Sequence, residues 1–353
     1  MSDELFKHSS VMFISIAIAN VFAYLFHIFI ARSLGPASYG EFGSLLAIFM
    51  ILSVPVATIQ TVITKFVAGY KSKKEYGKIG SLTFSAIKKL LLYGFGAFLI
   101  ISILSPLIAN FLHIESFIPV IIVGITVIFS VILPVNRGVL QGIQKFNDLA
   151  LNNVLESIFR LIFGVILIII GFGVSGALLG FGLGYLFAFL FAFIPLNYYF
   201  NKRDDNINVK EIYRYIKPVF IAVLLINLLV NLPTIFIKHF YSSEFTGLWN
   251  VSLTLARIIL FLATAISLVM FAKVSSSSNS LEKKKLFKNS LIYVILGSLI
   301  VSLIFFFFSK EILVILFGSA YSNGAIILKW MGFGISLIAV LQLKVYYKLG
   351  MKN

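Results

Sequence analysis

No cysteine occurs among the 353 residues, so disulfides, thiol nucleophiles and thiolate metal sites are excluded, and the redox compartment leaves no mark. Histidine is nearly as scarce, at four copies, and the four aspartates are Asp3, Asp148, Asp204 and Asp205. No spacing among them suits zinc, His-Glu-x-x-His is missing, and the pair 204–205 sits in a lysine-rich stretch that reads as a solvated charge run. Gly-x4-Gly-Lys-Ser/Thr is also missing, which removes the loop that would cradle ATP phosphates. The sequence calls for no cofactor. Charge itself is in short supply: 12% of residues are charged against 60% hydrophobic. A soluble core of this size cannot hide that much apolar surface, so lipid must solvate most of the chain.

The charge that remains is lopsided, with 29 Lys and Arg against 13 Asp and Glu and a formal net charge of +16. In a soluble protein this would point to nucleic acid. In a membrane protein it marks cytoplasmic loops and contact with anionic lipid, so nucleic acid is not an expected partner. Apolar runs predict ten transmembrane helices, at about 10–32, 42–64, 90–112, 117–136, 149–171, 174–200, 218–239, 247–273, 290–309 and 325–346. Pro55 should kink the second. The first run is too long for a signal-peptide core and reads as a retained helix. Arg32, Lys238 and Lys310 fall on one side of the membrane, and Arg160, Arg257 and Lys329 fall within helices. The other 23 or so share the side of the N-terminus, which makes both termini cytoplasmic in a multi-pass protein of the cell membrane.

Domain organisation follows from the longest polar stretch. Residues 1–200 form a six-helix lobe, 201–217 a cytoplasmic linker, and 218–353 a four-helix lobe. Sliding the chain by 207 residues places Asn20 on Asn227, Leu25 on Leu232, Ile28-Phe29-Ile30 on Ile235-Phe236-Ile237, Gly40 on Gly247 and Leu46 on Leu253. Apolar matches are cheap in this composition; the Asn and Gly pairs carry the weight. Both units start on the same side, so the repeat is parallel.

The stretch Ala31-Arg32-Ser33-Leu34-Gly35-Pro36-Ala37-Ser38-Tyr39-Gly40-Glu41-Phe42 is a polar hinge between two apolar runs. It resembles the opening of the oligosaccharide flippases, the polysaccharide-transporter branch of the multidrug/oligosaccharidyl-lipid/polysaccharide exporter superfamily. The resemblance implies an all-α membrane protein of two parallel-repeat lobes. It also implies a basic inner cavity and transport of a lipid-linked sugar, without enzymatic chemistry. Partners implied are the lipid-linked sugar, membrane lipid and glycan-biosynthesis proteins. Members of the resembled family have twelve or fourteen helices, so a 6 + 4 arrangement leaves the second lobe short, to be completed by a second copy of the chain.

Ionisable groups at membrane depth are the sharpest local signal. Arg160 lies roughly 16 Å and Arg257 roughly 15 Å along their helices, near the midplane from opposite sides. With Glu156 they would cost roughly 8–10 kcal/mol if unpaired, at about 2.5–3.5 kcal/mol each. One reading is that Glu156 and Arg160, spaced i and i+4, neutralise each other, leaving Arg257 unexplained unless it too reaches Glu156. The other is a cationic, water-filled cavity between the lobes that receives an anionic headgroup, which the small-x-x-Glu-x-x-x-Arg pattern of the resembled family supports. Asn20 and Asn227 are expected to bond between helices or to line the cavity. Arg32 either snorkels to the interface or serves as a gate. Lys329 snorkels, and His27 is a packing residue. The candidate substrate-binding set is Arg160, Arg257, Glu156, Asn20, Asn227 and Arg32. Three rivals remain at this stage: a cation-coupled small-molecule exporter, a truncated inactive relative, and a membrane-embedded glycan polymerase or ligase, the last disfavoured by the short outer loops.

Overall fold

The structure, a computed structural model, describes residues 2–200, 210–276 and 279–351. Ten α-helices account for nearly all of them: α1 (Ser2–Leu52), α2 (Pro55–Ser72), α3 (Tyr76–Phe111), α4 (Ile118–Gly142), α5 (Phe146–Ile169), α6 (Gly173–Phe200), α7 (Lys210–Phe240), α8 (Ser243–Ser276), α9 (Ser280–Phe317) and α10 (Ala325–Gly350). A 3-10 turn, Ser319–Gly324, precedes α10. Nine stretches within the described residues are long and apolar enough to span a bilayer. The longest, Val11–Leu52, is two arms of one bent element. The expected all-α, ten-helix membrane architecture is thus present.

The hinge is tighter than its sequence suggests. Helix geometry breaks at Gly35 alone (φ 75, ψ 174), and Pro36 at once opens the next arm, where its missing N–H costs nothing. The second expected helix does not run unbroken through Pro55. It stops at Ser53–Val54, and Pro55 starts α2. The third starts at Tyr76 rather than near 90, because residues 76–89 are amphipathic: Ile79, Leu82 and Thr83 are buried while Lys88 and Lys89 are exposed. The ends of α2, α3 and α4 share one closure, with Lys74, His113 and Gln144 at positive φ. In each, the following amide reaches back to the last turn: Glu75 to Tyr70, Ile114 to Ala109, and Lys145 to Leu140, all at 2.9 Å. Residues 201–209 of the expected linker lie outside the described residues; from Lys210 the chain is helical.

Two compact units result. The first comprises Met1–Leu34 and Leu45–Ile221, the second Gly35–Ser44 and Ala222–Asn353. In the first unit α4 packs against α2, α3 and α6, and α5 against α6. Its core joins Val62 and Val67 of α2, Ile79 of α3, Val135 and Val139 of α4, and Leu196 of α6. Gly138 and Gly142 let α4 press on α2: a Cβ at either would come within 2.7–2.8 Å of the Cβ of Ile63 or Val67. In the second unit α10 packs on α8 and α9.

The offset of 207 extends across four helices. α4 begins at Ile118 and α10 at Ala325, α3 ends at Phe111 and α9 one residue short of the offset at Phe317, the first arm of α1 matches α7, and its second arm with α2 matches α8. Within the second unit the repeat also meets itself. A Cβ on Gly40 would strike the backbone of Ser243 and Gly247; one on Gly247 would strike that of Pro36. Because Pro36 and Ser243 are themselves 207 apart, this contact has the reciprocity of a two-fold interface. Asn250 completes it, its side chain lying against Gly43 and its amide donating to the Gly40 carbonyl at 3.3 Å. Tyr39, 1% exposed, bonds Thr254 at 3.2 Å and meets Tyr321 edge-on.

Candidate functional site

The charged centre of the first unit is built by three helices. α5 carries Asn152, Glu156 and Arg160 on one face, each a turn apart. α6 approaches that face closely because Gly184 offers no side chain; a Cβ there would lie 2.9 Å from the Glu156 carbonyl and 3.0 Å from the Arg160 Cβ. Gly180 and Gly164 bring the two backbones together one turn further along. α4 supplies the third component, Arg137.

Glu156 and Arg160 are 7% and 9% exposed, and Arg160 donates to one carboxylate oxygen of Glu156. The other oxygen takes Arg137 Nη2 at 2.8 Å. Arg137 is held in turn by Asn152, whose Oδ1 accepts from Nε at 2.8 Å and whose carbonyl accepts from Nη2 at 3.3 Å. The Asn152 amide donates to Ala188 of α6 at 2.7 Å. One carboxylate between two guanidiniums leaves a net single positive charge. The guanidinium carbon of Arg160 lies over Phe181, 4.0 Å from the ring centroid, and 5.5 Å from that of Tyr185, so its charge is also stabilised by aromatic faces. Its Nε is buried and has no hydrogen-bond partner.

Arg137 is not among the expected site residues, since the helix expected at about 117–136 ends just before it. α4 instead continues to Gly142 and keeps Arg137 inside a helix. The i, i+4 pairing of Glu156 with Arg160 is present, but it is half of a triad. Arg257 belongs to the second unit and does not need Glu156. It is half-buried and donates to Asn231 Oδ1 at 2.8 Å, and Asn231 donates to the Asn227 carbonyl at 3.0 Å. Of the two roles expected for Asn227, bonding between helices is not seen among the described residues: its amide donates to the Val223 carbonyl of its own helix at 3.1 Å. Asn20 is half-buried on α1, and Arg32 is exposed just before the bend. Lys329 lies 5.7 Å from the Phe306 ring centroid, and His27 packs edge-on against Phe26. Lys238 lies in the last turn of α7, at a helix end, and is 1% exposed there, with Glu41 acting on it electrostatically. Among the described residues no group of three His, Asp or Glu could hold a metal.

Residues 5–275 match the family described as "Polysaccharide biosynthesis protein". No curated protein matches the sequence. Solved structures share the fold. One is an inward-facing multidrug resistance MATE family transporter of the MOP superfamily, at TM-score 0.71 and 18% identity, covering 93% of this chain and 82% of that one. An outward-facing structure of such a transporter gives TM-score 0.60 at 18% identity, covering 98% and 84%. A third is a MOP superfamily transporter from Pyrococcus furiosus, described as having a binding pocket of reverse polarity that suggests a different function, at TM-score 0.61 and 18% identity, covering 97% and 82%.

Proposed function

The chain belongs to the polysaccharide biosynthesis protein family and shares the fold of MOP superfamily transporters, and we propose that it is a membrane transporter that carries a lipid-linked oligosaccharide from the cytoplasmic to the outer leaflet by alternating access. The observation that carries this reading is the buried centre of Arg137, Glu156 and Arg160, which keeps one uncompensated positive charge at membrane depth. Such a charge is costly without a counter-ion, and a sugar pyrophosphate is an anion of suitable chemistry. Arg160 contributes its unpartnered Nε and a guanidinium placed over the Phe181 ring. Glu156 fixes both arginines, and Arg257, steadied by Asn231, supplies a second cation. Asn20 and Asn227 brace or line the route, and Arg32 guards its exit.

In this reading the protein resides in the cell membrane with both termini cytoplasmic. It performs no covalent chemistry and works beside glycan-assembly enzymes that make and use its substrate. The second reading, a cation-coupled small-molecule exporter, is favoured by the multidrug MATE neighbours. It is weakened by Glu156, the acid best placed for coupling, since guanidiniums already occupy both of its oxygens. The test is the double variant Arg160→Ala, Arg257→Ala in the native cell. Lipid-linked sugar should accumulate on the cytoplasmic side and surface glycan should fall; normal surface glycan would overturn the assignment.

A further inference from the structure

A cavity of about 320 Å³ lies in the first unit between the start of α5 and the last turns of α6, where both membrane spans end. Leu151 and Ile194 line it and are 58% and 71% exposed, so it opens toward lipid. Two opposite charges share its wall. Lys145 and Asp148 are three residues apart at the start of α5, yet they form no ion pair. Lys145 Nζ donates instead to the Pro195 carbonyl of α6 at 3.0 Å. The Asp148 carboxylate has no hydrogen bond or ion pair among the described residues. An acid in the first turn suits any helix, but a lysine at the N-cap opposes the helix dipole, so helix formation does not account for Lys145. A further polar group comes from α6. Pro195 has no N–H to give the carbonyl of Phe191 four residues earlier, so that acceptor, on a residue that lines the cavity, loses its helical donor. Asn152 also lines the cavity, but its side chain is already committed to Arg137 and Ala188.

We propose that this cavity binds the headgroup of a membrane phospholipid carrying a primary ammonium, as phosphatidylethanolamine does. The ammonium donates to the Asp148 carboxylate and the Phe191 carbonyl, the phosphate accepts from Lys145, and the acyl chains run along Leu151 and Ile194. Each charge of the headgroup meets its opposite, in charge-assisted hydrogen bonds. A choline headgroup has no N–H to donate, and a glycerol headgroup brings only an anion toward Asp148. The site lies outside the charged centre and is independent of what the protein transports.

Native mass spectrometry of the full chain in detergent tests this with phospholipids of identical acyl chains. Phosphatidylethanolamine should bind roughly tenfold more tightly than phosphatidylcholine, the worth of one charge-assisted hydrogen bond. In Asp148→Ala the preference should shrink to about twofold while phosphatidylcholine binds as before, and Lys145→Gln should weaken both lipids alike. Lys88→Gln, an exposed lysine of α3 that does not line the cavity, should change neither. The parent protein alone can overturn the proposal, by binding the two lipids equally or phosphatidylglycerol most tightly. A preference undiminished in Asp148→Ala, or binding untouched by Lys145→Gln, places the lipid elsewhere and refutes it too.

Discussion

Glu156→Gln keeps the shape of the side chain and removes the only negative charge from a centre holding two guanidiniums. The side chains involved are 10–13% exposed, so water screens them little. Two ion pairs are lost at once, and Arg137 and Arg160 are left to repel each other. Breaking a buried pair costs about 3–5 kcal/mol, most of it the penalty of the abandoned charge. Unfolding entropy near 2.1 cal/mol/K per residue converts about 4 kcal/mol in a chain of this length to a fall in Tm of roughly 5 °C. Helix melting followed by circular dichroism in detergent is the suitable assay. Intrinsic fluorescence is not, because Trp249 and Trp330 both report from the second unit. The triple variant Arg137→Met, Glu156→Leu, Arg160→Met removes every charge and should recover most of the loss. A Glu156→Gln protein melting within 1 °C of the parent would show that the carboxylate does not neutralise the arginines, and the description of the centre would fail.

Two further substitutions test the bent arm. Gly40→Val drives a side chain into the backbone of α8 and should cost at least about 1–3 kcal/mol, read as lost monodisperse protein on size-exclusion chromatography. Gly35→Ala meets no neighbour, yet forces alanine to φ 75 and should cost about 1–2 kcal/mol, whereas Gly69→Ala, in open space within α2, should stabilise by roughly 0.5–1 kcal/mol; paired melting curves decide both.

Helix number, the hinge at Gly35-Pro36 and the repeat offset were all legible in the sequence, because hydropathy, Gly-Pro chemistry and matched Gly and Asn positions are local signals. Arg137 was not. Its partner Glu156 lies 19 residues away on the next helix, and only the packing of α4 beside α5 brings them together. Arg160 and Glu156 could be paired in advance since one helical turn separates them, while the turn-back of Asn227 onto Val223 depends on a rotamer that no pattern encodes. The early start of α3 is hidden for a different reason: residues 76–89 bury one face and expose Lys88 and Lys89, and a sliding hydropathy window averages both faces together.

The reciprocal seam between residues 36–43 and 243–250 is a surface that fits a rotated copy of itself, the geometry of a symmetric dimer interface built within one chain. In a strict two-fold seam a change at one position is felt twice; here Asn250 and Gly43 break that symmetry, for the two positions are equivalent by offset, yet one keeps bare backbone and the other reaches across to fill the space, so a substitution at either acts once.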